Sequence, residues 1–313
     1  MTDSSLPTIG WIGAGRMGLQ LAQRLLRAGY DVAVYNRTKA KAEPLAASGA
    51  TIVDHPIDLA GRDIVFSMVS TGADLEQVML GERGLLTDPA TTPRIIGDSS
   101  TVDTETSKRV RAAAEERGVG FLATPVSGNP KVIAAGKLTV AVSGPRAVFE
   151  EVEPVLQTWG RGVTYVGEGE LARIVKIAHN VMLGVVIQNL IEITLLAEKA
   201  GVRRSDFLSF FNDSVMGSAF TRYKSPALVN LDFAATFTNV LLCKDLDLGL
   251  AAAHDLGVVM PVTSATRQVV ASEVGDGNTE QDFSSLIMTW AKHSGMSIES
   301  ENVPVDDGLA PEE

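Results

Sequence analysis

A lysine and an asparagine stand one helical turn apart in an otherwise apolar stretch of the sequence. Lys176 and Asn180 lie within residues 170–200, where Ile, Val, Leu and Met dominate. Because four residues make about one turn, both polar side chains project from the same face. Burial disfavours the charged form of a lysine and lowers its pKa toward the range useful for proton transfer. Taken alone, the helix favours a simpler interpretation, a lysine that extends its head group to water.

A glycine-rich turn near the N-terminus is the second candidate for chemistry. Residues 8–18 form a strand pattern followed by G-x-G-x-x-G and a helical pattern. Glycines permit a tight turn and a close backbone approach, and a helix N-terminus presents free N–H groups to a pyrophosphate. The alternative is that the glycines only close a tight turn, but this would not explain why they stand between a strand pattern and a helical pattern. The predicted dinucleotide-binding residues of the turn are Gly13, Ala14, Gly15, Arg16, Met17 and Gly18.

The end of the second strand predicts which dinucleotide is preferred. Asn36, Arg37 and Thr38 stand where an acid usually binds the adenine ribose. Arg37 can pair with a 2′-phosphate, and Asn36 and Thr38 can hydrogen-bond to it. We therefore expect NADP to be preferred, with NAD possible. The alternative is a solvent-facing Arg37 that only starts the next helix.

Strand and helix patterns alternate through the first half of the chain. The strand patterns are residues 8–13, 31–35, 64–68, 94–97, 119–122, 138–142 and 163–166, and the helical patterns between them are residues 16–28, 38–48, 75–80, 104–117 and 145–159. Such alternation predicts a parallel sheet that is covered on both faces. From Glu170 to about Lys292 the periodicity is helical, with breaks at Gly201, Gly217, Pro226, 257–261 and 275–277.

These patterns predict an α/β fold with two domains. A Rossmann-type parallel-sheet domain, residues 1–168, is followed by an all-α domain, residues 169–296, and a long helix to about Lys199 joins them. Residues 297–313 are acidic and weakly apolar, which predicts a mobile tail.

Composition excludes several classes of partner. The 313 residues carry a net charge of −11, which argues against nucleic acid or an anionic membrane surface. The single Cys243 forbids an intrachain disulfide and fits a reducing cytoplasm. Residues 1–7 lack the pattern of a signal peptide, and the polar residues of the long helix make it a poor membrane span. The four histidines show no metal-ligand spacing, so no metal is expected.

Five motifs in order resemble a known family. The glycine loop is followed by Asp98-Ser-Ser-Thr101, by Thr124-Pro-Val-Ser-Gly128, by Lys176-x-x-x-Asn180 and by Lys244-Asp-Leu246. Over residues 8–293 this arrangement is similar to the β-hydroxyacid dehydrogenases, which include 3-hydroxyisobutyrate dehydrogenase and, more distantly, 6-phosphogluconate dehydrogenase.

The resemblance implies a nicotinamide-dependent interconversion of a small β-hydroxy acid and its semialdehyde or oxo acid. It implies that Lys176 is the general acid/base, that Asn180 orients the substrate, and that Ser127 and the Gly128 backbone hold its carboxylate. Thr101 and Lys244 would lie against the nicotinamide and its ribose. Met68 and Val69, at the end of a strand pattern, complete the expected cofactor-binding residues. The family also implies a homodimer or homotetramer.

This chain departs from the family pattern at positions that affect the expected substrate. Asn129 follows Gly128 where the family has a glycine, so Asn129 is expected beside the carboxylate site. Glu170 and Ala172 replace glycines upstream of the lysine. Two alternative functions remain, an imine reductase on the same scaffold and a non-catalytic NADP-binding protein. Lys176 argues against an imine reductase, because the amine that forms on reduction of an imine is already basic and needs less help from a lysine acid. The presence of Ser127, Lys176 and Asn180 together argues against a non-catalytic protein.

Overall fold

The computed structural model describes residues 6–309. Residues 1–5, which form most of the segment examined for a signal peptide, and residues 310–313 of the predicted tail lie outside the described residues. The chain forms two compact units, residues 1–176 and 177–313, whose division falls inside one long helix. The sequence had suggested a boundary at 168/169, at the start of that helix.

The first unit is built on a nine-stranded sheet in the order β3-β2-β1-β4-β5-β6-β8-β7, with β9 paired to β8. Its strands are β1 (Ile9–Ile12), β2 (Val32–Tyr35), β3 (Thr51–Val53), β4 (Ile64–Ser67), β5 (Ile95–Asp98), β6 (Gly120–Ala123), β7 (Val126–Ser127), β8 (Thr139–Ser143) and β9 (Gly162–Gly167). All pairings are parallel except those of β8 with β6 and β7. The predicted α/β class with a Rossmann-type sheet is confirmed, and the short strands β3 and β7 are additions to it.

Helices cover both faces of this sheet. They are α1 (Arg16–Arg27), α2 (Glu43–Ala46), α3 (Gly72–Leu80), α4 (Thr104–Glu115), α5 (Pro130–Ala134) and α6 (Arg146–Gln157). Alternate strand residues face the two sides, so Trp11 packs in one core with Phe66 and Trp159, whereas Ile12 belongs to the core on the opposite face. The expected helix over residues 38–48 is instead a 3-10 turn, Lys39–Ala42, and the short α2, because Pro44 cannot donate a hydrogen bond inside a longer helix.

The second unit is helical. It contains most of α7 (Leu171–Lys199), followed by α8 (Arg204–Asp213), α9 (Ala219–Asn230), α10 (Asn239–Leu256), α11 (Pro261–Gly275) and α12 (Leu286–His293). Pro226, expected to break a helix, lies inside α9. Among the described residues, α7 is the one helix long and apolar enough to cross a membrane by length and composition, and about half of its most apolar window is buried within the protein.

Residues 297–305 do not behave as the predicted mobile tail. Ile298 is buried, and Val303 and Val305 pack on the apolar core of the second unit. Asn230 and Val303 exchange hydrogen bonds, and Glu301 accepts one from the backbone N–H of Arg204. Spaced apolar residues in an acidic segment explain this packing, which composition alone does not indicate.

Candidate active site

The predicted cofactor residues of the first unit follow neighbouring strands at one edge of the sheet. The parallel register aligns Ile12 of β1, Ser67 of β4, Asp98 of β5 and Ala123 of β6. The predicted residues that come just after these strand ends are Gly13–Gly18, Met68–Val69, Thr101 and Ser127–Asn129. The carboxyl ends of parallel strands are where open α/β sheets bind ligands.

The glycine turn has the geometry that a dinucleotide requires. Gly13 has φ +102°, and a Cβ there would lie 2.2 Å from the Met68 carbonyl oxygen. A Cβ at Gly18 would lie 2.0 Å from the Gly13 carbonyl oxygen. Gly15, by contrast, borders open space and caps α1 without a side-chain hydrogen bond. The N-terminal N–H groups of α1 are thus presented to an incoming anion, and the turn fits the pyrophosphate of a dinucleotide.

The residues after β2 are joined to the glycine turn and to α3. Asn36 Oδ1 accepts a hydrogen bond from the Ala14 N–H at 2.8 Å, and its Nδ2 donates to the Thr38 carbonyl. Arg37 is 83% exposed and pairs with Asp74 at 2.8 Å. Asn36 therefore holds the glycine turn in place, and Arg37 is oriented by a carboxylate that the sequence did not reveal.

Asp98 connects the segments that follow β4 and β5. Its Oδ1 accepts hydrogen bonds from the hydroxyls of Ser67 at 2.6 Å and Ser100 at 2.7 Å. Ser100 Oγ in turn accepts from the Val69 N–H. Asp98 is completely buried, and Thr101 follows three residues later in a partly buried position. Two predicted cofactor segments are thereby fixed by one carboxylate.

The turn after β6 carries the expected carboxylate-binding residues. Ser127 is partly exposed at the end of β7, and Gly128 has φ +142°, which favours glycine. Asn129 caps α5, its Oδ1 accepting from the Val132 N–H at 3.0 Å. Asn129 is expected beside the substrate carboxylate, and in the structure its side-chain oxygen caps α5.

Lys176 is partly buried near the start of α7. Three residues earlier, Arg173 is buried and donates to Asp98 Oδ2 at 2.5 Å and to the Ser100 carbonyl at 2.6 Å. Glu170, expected to alter the substrate pocket, is itself largely buried and pairs with Arg111 at 2.7 Å. The helix that carries Lys176 is thus joined by charged groups to the end of β5.

Asn180 and Lys244 meet at one carboxylate in the second unit. Asn180 Nδ2 donates to Asp245 Oδ2, and Lys244 Nζ lies 3.4 Å from Asp245 Oδ1. Asn180 Oδ1 lies 2.9 Å from His179 Nδ1, and because an amide oxygen only accepts, the histidine nitrogen is the donor. Close approach of α7 and α10 at Gly249, where a Cβ would lie 2.2 Å from Val181, makes these contacts possible.

Three charged side chains that orient the predicted site residues were not predicted from the sequence: the carboxylates of Asp74 and Asp245 and the guanidinium of Arg173. The contacts of Asp74 with Arg37, of Arg173 with Asp98 and of Asp245 with Asn180 join residues far apart in the chain, and no local spacing reveals them. A usable signal existed for Arg173, a second cation in the apolar start of α7. Within residues 6–309, no group of three or more His, Cys, Asp or Glu side chains is arranged to hold a metal ion.

Comparison with known proteins agrees with this geometry. Residues 8–167 match the family model for the NAD-binding domain of 6-phosphogluconate dehydrogenase, and residues 170–290 match the model for the NAD-binding domain of NADP-dependent 3-hydroxyisobutyrate dehydrogenase. The chain is 30% identical to 2-(hydroxymethyl)glutarate dehydrogenase of Eubacterium barkeri over 93% of its own length and 97% of the relative's.

Solved structures give the same result. The Mycobacterium tuberculosis 3-hydroxyisobutyrate dehydrogenase with L-serine superimposes with a TM-score of 0.80 at 27% identity, over 91% of this chain and 99% of that one. An imine reductase from Myxococcus stipitatus with NADP+ shares the fold, with a TM-score of 0.59 at 23% identity over 90% and 98% of the two chains. The matching family models, the overall identity and the cofactor geometry together show that this chain is an NAD(P)-dependent oxidoreductase of the β-hydroxyacid dehydrogenase family.

Proposed function

We propose that this protein is an NADP-preferring oxidoreductase that interconverts a small β-hydroxy acid and its semialdehyde or oxo acid. The observation that carries the proposal is the attachment of the helix that bears Lys176 to the carboxyl end of β5. Arg173, one turn before Lys176, binds Asp98 and Ser100 at the end of β5. Lys176 is therefore part of the same compact unit as the predicted cofactor residues that follow β1, β2, β4 and β5.

Lys176 is the proposed general acid/base. NADPH, when bound, supplies the hydride that reduces the carbonyl carbon. The oxygen that this leaves as an alkoxide needs a proton, which the Lys176 ammonium donates from Nζ. In the oxidative direction the neutral amine accepts the hydroxyl proton. Asn180, one turn further along the same helix and fixed by Asp245, is the proposed substrate-orienting residue.

The substrate carboxylate is assigned to the turn after β6. The partly exposed Ser127 hydroxyl and the Gly128 backbone N–H are the proposed donors, and hydrogen bonds to a carboxylate are stronger than those between neutral groups. A small acid is supported by the hydroxy-acid relatives. Thr101 and Lys244 remain proposed contacts of the nicotinamide and its ribose.

The preference for NADP is assigned to Arg37. Its guanidinium is exposed at the end of β2, where it can form a bidentate pair with a 2′-phosphate. In the structure the same group pairs with Asp74, so binding of the phosphate requires Arg37 to bridge two anions or to exchange one for the other. NAD, which lacks the phosphate, gains nothing from this arginine.

The test is NADPH oxidation by the purified protein with a panel of glyoxylate, semialdehydes, 3-oxo acids and cyclic imines. Turnover of the oxo compounds supports the proposed reaction. Turnover of imines alone would assign the protein to the imine reductases, whose likeness to this chain is one of fold. No turnover with any compound, together with tight NADPH binding, would favour a non-catalytic NADP-binding role.

We also propose a homodimer or homotetramer in the cytoplasm. The second unit exposes large apolar side chains, among them Phe210, Val215, Met216 and Val259. Exposed apolar surface of this kind marks interaction sites, and a second copy of the chain is the proposed occupant. Light scattering after size-exclusion chromatography tests the assembly, and a mass of 33.1 kDa, that of one chain, would contradict it.

A further inference from the structure

Two buried charges join the Lys176 helix to the sheet. The side chains of Asp98 and Arg173 are 0% and 1% exposed, and their Oδ2 and Nη2 atoms lie 2.5 Å apart. Arg173 also donates through Nη1 to the Ser100 carbonyl and through Nε to the Ser107 hydroxyl of α4. One guanidinium therefore connects α7 to the end of β5, to the turn that follows it and to α4.

A second pair fixes the first turn of the same helix. Arg111 donates to Glu170 at 2.7 Å, to the Gly169 carbonyl at 2.7 Å and to the Phe121 carbonyl at 2.9 Å. The Ser143 hydroxyl donates to that Gly169 carbonyl and accepts from the backbone N–H at position 172. The start of α7 therefore has no rotational freedom about its own axis without breaking charged contacts.

We propose that Arg173, through its pair with Asp98, is a positioning residue. It fixes where α7 lies along its own axis and how it is rotated about that axis, and so sets the position of Lys176 relative to the nicotinamide site. The inference rests on the proposed role of Lys176 in proton transfer. Asp98 already orders the segments that hold Val69 and Thr101, through Ser67 and Ser100. Arg173 extends that order to the helix that carries the proton donor.

The energetics of buried ion pairs favour this role over a purely stabilising one. Moving two charges out of water costs about as much as their attraction returns, so apolar residues of the same size would serve stability equally well. An apolar pair, however, tolerates sliding and rotation of a helix. The three directional contacts of the Arg173 guanidinium, to Asp98, Ser100 and Ser107, fix one orientation. A misplacement of about 1 Å at a reacting group can cost on the order of 100-fold in rate.

The experiment compares the holoenzyme with Arg173→Met and Arg173→Lys. Steady-state kinetics give kcat and KM, and fluorescence titration gives the NADPH dissociation constant. Trace acetylation with acetic anhydride at a series of pH values, followed by peptide mass spectrometry, reports the reactivity of Lys176 without any substrate. Lys199, at the far end of the same helix, is the internal reference. Arg204→Met is the matched control, because Arg204 is equally buried in the second unit and lies outside the proposed site.

Arg173→Met should lower kcat by roughly 10–100-fold, with NADPH affinity retained and with a shifted pH midpoint for Lys176 acetylation. Arg173→Lys should restore part of kcat, because lysine can pair with Asp98 but cannot make all the other contacts. Arg204→Met should lower thermal stability and leave kcat and the Lys176 midpoint at wild-type values. If Arg173→Met behaves like Arg204→Met, the positioning role is wrong. If the wild type turns over no substrate, the proposed function fails, and the acetylation midpoint still decides the positioning role.

Discussion

The ion pair between Lys224 and Asp282 should stabilise the second unit without contributing to turnover. The Nζ of Lys224 lies 2.7 Å from Asp282 Oδ1, with side-chain exposures of 4% and 3%, and 4.0 Å from the ring centre of Phe283. The neighbouring hydroxyl of Tyr223 is also buried, and burial raises its pKa.

The two halves of this pair should differ in what their removal costs. Breaking a buried pair costs about 3–5 kcal/mol, because the remaining charge stays uncompensated. In Lys224→Met, the Asp282 carboxylate keeps donors from the backbone and hydroxyls of Thr236 and Ser284. In Asp282→Ala, all of those donors lose their acceptor and the ammonium loses its counter-charge. The free energy of unfolding should therefore fall more for Asp282→Ala than for Lys224→Met.

Thermal unfolding measured by circular dichroism tests this order. At about 2–4 °C per kcal/mol, a loss of 3–5 kcal/mol lowers Tm by about 6–20 °C. The double variant should lose less stability than the sum of the two single variants, since no buried charge remains unpaired. Lys108→Met is the control, because Lys108 and Glu105 are also 2.7 Å apart but 58% and 69% exposed, and solvent screening leaves such a pair little effect on stability.

The pH dependence of stability has a defined sign. Burial alone would raise the pKa of Asp282. The charge of Lys224 and the surrounding hydrogen bonds together lower it by more, so the pKa of Asp282 lies below its ordinary value. A carboxylate with a lowered pKa contributes stability above its unfolded pKa of about 3.9, and that stability is lost as the pH falls through the folded value. The Tm difference between wild type and Asp282→Ala should therefore be largest near neutral pH and shrink in acid. A lowered kcat with an unchanged Tm in either single variant would refute the structural role.

Three further substitutions test the cofactor edge and the substrate turn. Asp74→Asn should tighten NADPH binding by roughly two- to fivefold and leave NADH unchanged, because it frees Arg37 and removes a charge that repels the 2′-phosphate. Glu76→Gln, on the same helix, is its control, and equal effects on both cofactors in titrations would contradict the assignment. Gly13→Ala should abolish NADPH binding in the same titration, since a side chain there meets the backbone after β4 at a positive φ; wild-type affinity would contradict this. Asn129→Ala should cost about 1 kcal/mol in thermal unfolding through loss of the α5 cap and leave the substrate KM unchanged. A raised KM with an unchanged Tm would instead support the substrate contact expected from the sequence.

Local patterns in the sequence predicted the sheet and the glycine turn. Short apolar strands between helical patterns, and glycines at a strand–helix junction, need only neighbouring residues to be recognised. The same holds for Lys176 and Asn180, whose spacing of one turn is a property of a single helix.

Contacts between distant residues explain what the sequence did not predict. Arg173 and Asp98 are 75 positions apart, and Asn180 and Asp245 are 65 apart, so no spacing rule connects them. Glu170 illustrates the consequence. Its replacement of a glycine suggested a changed substrate pocket, whereas its carboxylate binds Arg111 at the base of α7.

Lys176 carries the central chemical claim, and one comparison tests it most directly. The kcat of NADPH-dependent reduction should be measured for wild type, Lys176→Ala and Lys176→Arg at saturating substrate, with NADPH affinity determined separately. Arginine keeps the positive charge but does not release a proton at neutral pH. The account predicts that both variants bind NADPH normally and lose roughly 10²–10⁴-fold in kcat, the usual contribution of a positioned acid/base. Wild-type kcat in Lys176→Arg would show that charge alone suffices, and wild-type kcat in Lys176→Ala would show that the proton comes from another group.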